Sequence, residues 1–197
     1  MTLSDAAQHP SPKLFMILLG SKAPARVVEQ HDYFFGIAPQ LRDLIPQMRA
    51  FWPEAGNSLH IDGWREVTHV EGYRVDIVPA GDKPAPGEER LFFINLGGYT
   101  AGRLEEQHYN LLTVDKDRSA ALKTSKLTPF FKQSTIAKVK GANAHIDEKY
   151  GIDVDDFYLI EDLLSNEQKS AWHIRLTPTE AAVQDEVHLG YFRLDKL

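Results

Sequence analysis

The chain contains no cysteine. That single absence excludes disulfides, cysteine-ligated zinc, iron–sulfur clusters and thiol nucleophiles, and it fits a reducing compartment. Long apolar runs are missing as well. Leu14–Leu19 is an apolar run of six residues behind Lys13, shorter than the roughly 7–15 residues of a signal-peptide core and far below the ~20 residues that span a bilayer. No membrane association and a cytoplasmic location are therefore expected. An excess of positive charge is absent too: 22 Lys and Arg stand against 28 Asp and Glu, a net charge of −6 with histidines neutral. A generally cationic nucleic-acid binder is disfavoured on that count.

What is present suits a folded protein. Of 197 residues, 43% are hydrophobic, 25% charged and 10% aromatic, which places the chain among globular proteins with one domain or two small ones.

The strongest signal is internal. Leu14–His31 lies over Leu91–His108 at a constant offset of 77, with nine of eighteen positions identical, where about one match arises by chance. A second block follows, in which His60-Ile61-Asp62 with Val70-Glu71-Gly72-Tyr73 is read against His145-Ile146-Asp147 with Val154-Asp155-Asp156-Phe157. Pro79–Arg90 holds three prolines and two glycines, a composition that breaks helix and strand and suits a connector. The expected layout is a flexible stretch 1–13, repeat one at 14–79, a linker at 80–90, repeat two at 91–164 and a C-terminal β extension at 165–197.

Within repeat one, Leu14–Leu19 reads as a strand buried on both faces and Val27–Ile37 as a second strand rich in β-favouring residues. Leu41, Leu44, Ile45, Met48 and Phe51-Trp52 then fall on one helical face. Pro46 interrupts it, so two short helices meeting at Ile45-Pro46 are an alternative. Strands near Leu59–Val67 and Tyr73–Val78 close a ββαββ unit. Repeat two offers strands near Leu91–Leu96 and Leu104–Val114, a helix between Asp117 and Lys132, and strands near His145 and at Phe157–Leu164. Ala171–Leu176 and Val187–Leu194 read as a C-terminal β-hairpin. The expected fold is α+β, two tandem ββαββ repeats packed about a pseudo-twofold axis so that each covers the other's apolar face.

The repeated Leu-Phe-x-Ile-x-Leu-Gly strand, the Arg-x-x-Glu-Gln-His segment, Phe51-Trp52-Pro53-Glu54 and the His-Ile-Asp block resemble the bacterial family called domain of unknown function fifteen forty-three. The resemblance covers about residues 14–164. It implies a bacterial protein with a duplicated module and no established activity.

Three polar constellations stand out. Arg26-x-x-Glu29-Gln30-His31 returns as Arg103-x-x-Glu106-Gln107-His108. On a strand Glu29 and His31 share a face and Gln30 takes the other, an arrangement of a general base with its orienting acid or of two metal ligands. Alternatively Arg26 pairs with Glu29 and His31 bonds a carbonyl, and Arg26, Gln30, Arg103 and Gln107 serve a ligand-binding or structural network. His60, Asp62, His145 and Asp147 form the second set, two apart on a strand and suited to a divalent metal, or else to turn hydrogen bonds. Retention of the motif in both repeats points to a network needed twice or to a site shared on the axis.

The third constellation is a charge pattern. Seven basic residues and one acid occupy Lys116–Lys140, and eight acids with one base occupy Asp147–Glu167. The basic segment 116–140 is the one place suited to nucleic acid, and otherwise a solvated face beside its acidic neighbour. Gly97-Gly98-Tyr99-Thr100-Ala101-Gly102 lacks the Gly-Lys-Ser/Thr ending of a phosphate loop and reads as a turn.

The expected function is a non-enzymatic binding or assembly module with no cofactor, acting on a protein or a small anionic ligand, with homo-oligomerisation open. The alternative is a small metal-dependent or acid–base enzyme using Glu29, His31, Glu106 and His108, with a divalent metal on histidine and carboxylate.

Overall fold

In a computed structural model of the chain, which describes residues 11–81, 87–99, 104–127 and 152–197, the apolar run Leu14–Leu19 lies in β1 (Lys13–Ser21). Leu14, Phe15, Ile17 and Leu19 are all buried, as an unbroken apolar strand requires when both faces are covered. β1 is central in a four-stranded antiparallel sheet of order β10-β3-β1-β2, with β2 at Gln30–Ala38, β3 at His60–Glu66 and β10 at His188–Arg193.

β2 starts later than its sequence suggests. The chain turns at Ala23–Arg26, where the Arg26 amide donates to the Ala23 carbonyl at 3.2 Å and Ala25 has φ 64°. The return crossing uses the next residues, leaving Val27 and Val28 exposed in a loop. Gln30 staples that loop, donating from Nε2 to the Val28 carbonyl and accepting at Oε1 from the Ala23 amide at 3.4 Å.

The helical stretch breaks where Pro46 stands. A 3-10 turn at Leu41–Leu44 gives way to α1 (Ile45–Phe51) with the proline in its first turn, and a second 3-10 stretch follows at Pro53–Ser58. In the first turn of a helix the missing amide is no loss, so the proline divides two short helices instead of kinking one. Leu44 and Met48 from this stretch are fully buried with Phe15, Ile17, Leu19, Phe34, Leu59 and Ile61.

β4 (His69–Val70) and β5 (Tyr73–Pro79) meet at a two-residue turn in which Glu71 and Gly72 both have positive φ, 48° and 81°. Two positive φ values match the twist of a tight hairpin. β5 leaves the first sheet and joins β4-β5-β9, with β9 at Trp172–Pro178.

The expected C-terminal hairpin does not form. Both of its strands exist, yet β9 pairs with β5 and β10 pairs with β3. The segment between them is held elsewhere: Asp185 accepts from the Thr68 amide and hydroxyl. Leu194, just beyond β10, enters the core of the first sheet.

A third antiparallel sheet has the order β7-β6-β8, with β6 at Arg90–Tyr99, β7 at Glu106–Asp115 and β8 at Ile152–Leu159. Between β7 and β8 lies α2 (Arg118–Ser125), whose N-cap Asp117 accepts from the Ala120 amide at 2.9 Å. The strand expected at Phe157–Leu164 is shifted towards the N-terminus, because Ile160–Leu163 is helical. The strand expected near His145 lies outside the described residues. Phe92, Ile94, Leu96 and Ala121 form this sheet's buried cluster.

The chain divides into two compact units, Met1–Asp82 with Leu163–Leu197, and Lys83–Asp162. It is an α+β protein, with three antiparallel sheets and few helices among the described residues.

Candidate functional site

The site begins with a glycine. In the register of the first sheet Gly20 of β1 faces His31 of β2 on one side and His60 of β3 on the other. Directly opposed residues share a face, so two imidazoles flank a position with no side chain. A Cβ at Gly20 would lie 2.2 Å from Asp62 Oδ2 and 2.6 Å from His60 Nε2. Glycine is thus the floor on which these side chains rest.

A β-bulge supplies the fourth element. β1 and β3 pair as Leu18↔Gly63 and Leu19↔Ile61, leaving Asp62 as the extra residue. The bulge changes the alternation of β3, so that Ile61 and Trp64, three apart, both pack in the core cluster, while His60 and Asp62 converge above Gly20. Re-aiming side chains is a common use of bulges.

The four groups close into a ring. His60 Nε2 lies 3.1 Å from Glu29 Oε1 and 3.2 Å from Asp62 Oδ1, and His31 Nε2 lies 3.0 Å from Asp62 Oδ2 and 4.0 Å from Glu29 Oε2. Imidazole and carboxylate alternate around it. The His60 side chain is 3% exposed, whereas Glu29 and His31 are 40% and 45% exposed. One half of the ring is fixed and the other faces water.

His60 is held from behind. Its Nδ1 is 2.8 Å from the Ser58 carbonyl oxygen, which can only accept, so Nδ1 carries the hydrogen and Nε2 is turned towards the carboxylates. Ser58 is braced in turn: its hydroxyl donates to the Ala55 carbonyl at 2.7 Å, and the buried Ser21 hydroxyl lies 2.7 Å from the Ser58 oxygen. Tyr191 of β10 lies beside the imidazole, with ring centroids 4.2 Å apart. His60 Nε2 and Asp62 Oδ2 are both buried, and although ring partners lie 3.0–3.2 Å from them neither makes a well-directed hydrogen bond.

Sequence reasoning named Glu29, His31, His60 and Asp62 as two separate sets, and the fold makes one set of them. Glu29 turns to the imidazoles instead of to Arg26, which is exposed in the β1–β2 loop. Gly20, Ser58 and Tyr191 were missed. A signal for Gly20 was available, since Gly97 stands at the same offset of 77.

In the second unit the backbone register repeats this pattern with different residues. Gly97 of β6 faces His108 of β7 on one side and Asp153 of β8 on the other. The shift in β8 falls between Asn95 and Leu96, with Asn95↔Asp156 and Leu96↔Val154, which leaves Asp155 as the extra residue. Asp153-Val154-Asp155 therefore holds the register of His60-Ile61-Asp62. The alignment of Val154–Phe157 with Val70–Tyr73 is corrected by this, because Val70–Tyr73 closes the β4–β5 turn while Val154–Phe157 lies within β8. Both blocks are short and degenerate.

Glu106 stands opposite Tyr99 and Gln107 opposite Gly98, and His108 is exposed. Arg103, His145 and Asp147 lie outside the described residues, as does the basic segment beyond residue 127. Within the described part, the Arg118 guanidinium sits 5.0 Å above the Phe157 ring, spending one of those cations on an aromatic face. Among the described residues no three histidine and carboxylate groups are already arranged to hold a metal ion. No helix among them is long and apolar enough to cross a membrane.

The fold is similar to that in the crystal structure of a protein Il1583 from Idiomarina loihiensis, with a TM-score of 0.59 and 21% identity, covering 93% of this chain and 97% of that chain. The comparison with curated proteins finds no similar chain. A family model matches residues 26–77, a segment that contains Glu29, His31, His60 and Asp62. That model describes a Domain of Unknown Function (DUF1543), so the ring-bearing segment of the first unit is similar to that family.

Proposed function

We propose that the chain is a non-enzymatic binding module of the bacterial cytoplasm, built from two copies of one unit, and that its ligand is taken up at the ring over Gly20. One observation carries the reading: two imidazoles and two carboxylates converge over a glycine, and the buried His60 Nε2 and Asp62 Oδ2 have ion-pair contacts of 3.0–3.2 Å within the ring but no well-directed hydrogen bond. Unsatisfied polar atoms in a protein interior are costly and uncommon, and a ligand that pairs them recovers that cost. The duplication is supported by the offset of 77, which also relates the two glycines and the two register shifts.

The exposed Glu29 and His31 leave the ring open to solvent, so a small ligand reaches it without any lid. Thermal-shift measurements on the full chain test the reading, with a panel of divalent cations, amines and small organic acids. At least one class is expected to raise the melting temperature by several degrees, as ligand binding to the native state does. The doubly substituted Glu29→Gln, His31→Asn protein is expected to lose that shift. A panel that moves nothing, or a shift unchanged in the double variant, contradicts the reading.

A second reading, acid–base chemistry, draws on the 3.0 Å contact of His31 with Asp62. It is distinguished by turnover of a substrate that binds through the same four groups.

A further inference from the structure

We infer that the ring over Gly20 is a binding site for a divalent transition-metal ion of the zinc type, held by His60 Nε2, His31 Nε2 and Asp62, with Glu29 as the fourth donor. This rests on the reading of the ring as the ligand site.

The tautomer of His60 is the first support. Its Nδ1 hydrogen is committed to the Ser58 carbonyl at 2.8 Å, so Nε2 is the ring nitrogen that faces the two carboxylates, 3.1 and 3.2 Å away. The two carboxylates repel each other across that nitrogen, and beside a side chain 3% exposed water screens them poorly. A cation between them turns the repulsion into attraction. An Nδ1–H bonded to a backbone carbonyl is also the usual second-shell support of a histidine that binds metal through Nε2.

Donor spacing is the second support. Metal–ligand bonds of about 2.0–2.2 Å place neighbouring donors about 3.3–3.6 Å apart at a tetrahedral ion. The ring's four nitrogen–oxygen separations, 3.0, 3.1, 3.2 and 4.0 Å, bracket that spacing. His60 and Asp62 are the fixed pair. Glu29 and His31, both half-exposed, complete the sphere by rotating about their side-chain bonds.

Donor chemistry selects the ion. Two imidazoles with two carboxylates suit zinc and its first-row neighbours, whereas magnesium and calcium prefer all-oxygen shells. Two negative carboxylates also balance a double positive charge. The small residue beneath is part of the same design, since a Cβ at Gly20 would meet Asp62 Oδ2 and His60 Nε2 at 2.2 and 2.6 Å and push the donors apart.

The test is calorimetric titration of the chelator-treated full chain with zinc chloride, and separately with magnesium and calcium chloride. Zinc is expected to bind saturably, and magnesium and calcium to give no comparable heat. His31→Ala, at a half-exposed position, is expected to keep the metal-free melting temperature while weakening zinc about 10-fold or more. Asp62→Asn serves as the second variant, with cobalt substitution read by its visible absorption as a measure of coordination that does not depend on stability. Wild-type protein that is folded and binds no zinc overturns the inference, as does undiminished zinc affinity in both variants. If zinc fails while another compound still raises the melting temperature through Glu29 and His31, the metal assignment alone falls. If neither zinc nor the panel binds, both fall.

Discussion

Gly20 decides whether the two histidines and Asp62 can share one space. A methyl group there must displace a carboxylate oxygen and a buried imidazole that lie 2.2 and 2.6 Å from it. Gly20→Ala is therefore expected to destabilise the first unit by about 1–3 kcal/mol through overpacking, against the small gain an alanine normally brings to a strand. Urea unfolding followed by fluorescence measures it, and a neutral or stabilising change would contradict the packing described. At this scale the sequence was informative about identity and silent about association. Glu29, His31, His60 and Asp62 were each recognisable as polar residues at strand spacing. That they form one ring depends on cross-strand register and on a bulge, neither of which leaves a mark in the order of residues.

Among the elements, β1, β2 and the broken helix were legible because local physics sets them: an unbroken apolar run, β-favouring aromatics, and a proline in a helical pattern. The partners of the strands were not legible. β9 and β10 have the look of a hairpin, yet each completes a different sheet, since long-range pairing is settled by which edges are open and not by nearness in sequence. β10 and the residues after it are accordingly part of the first unit's core. Phe192 and Leu197 pack against the buried cluster that contains Leu194, itself 4% exposed, and Tyr191 flanks His60. Deleting residues 188–197 is expected to cost at least the ~2–5 kcal/mol of a buried leucine, together with the edge pairing of β3. A large fall in melting temperature checks this, and a truncated chain as stable as the full one would show that the segment is a dispensable tail.

For the whole molecule, the missing cysteines leave histidine and carboxylate as the strongest metal-binding side chains available. A glycine lies between flanking polar positions in the strand register of both units, with His31 and His60 about Gly20 and His108 and Asp153 about Gly97. Aspartate in the second unit stands where the first has histidine, so the two positions are chemically different even where the backbone register is the same. The first unit carries the full set of two imidazoles and two carboxylates, and it is there that the account is most exposed to refutation. Anomalous diffraction at the zinc edge, from crystals of the full chain grown with zinc, addresses it directly. A peak over Gly20 about 2.0–2.2 Å from His60 Nε2, with His31 and Asp62 as further ligands, is the expected result. Crystals in which no peak lies over Gly20, with His60 Nε2 still turned to Glu29 and Asp62, would contradict it.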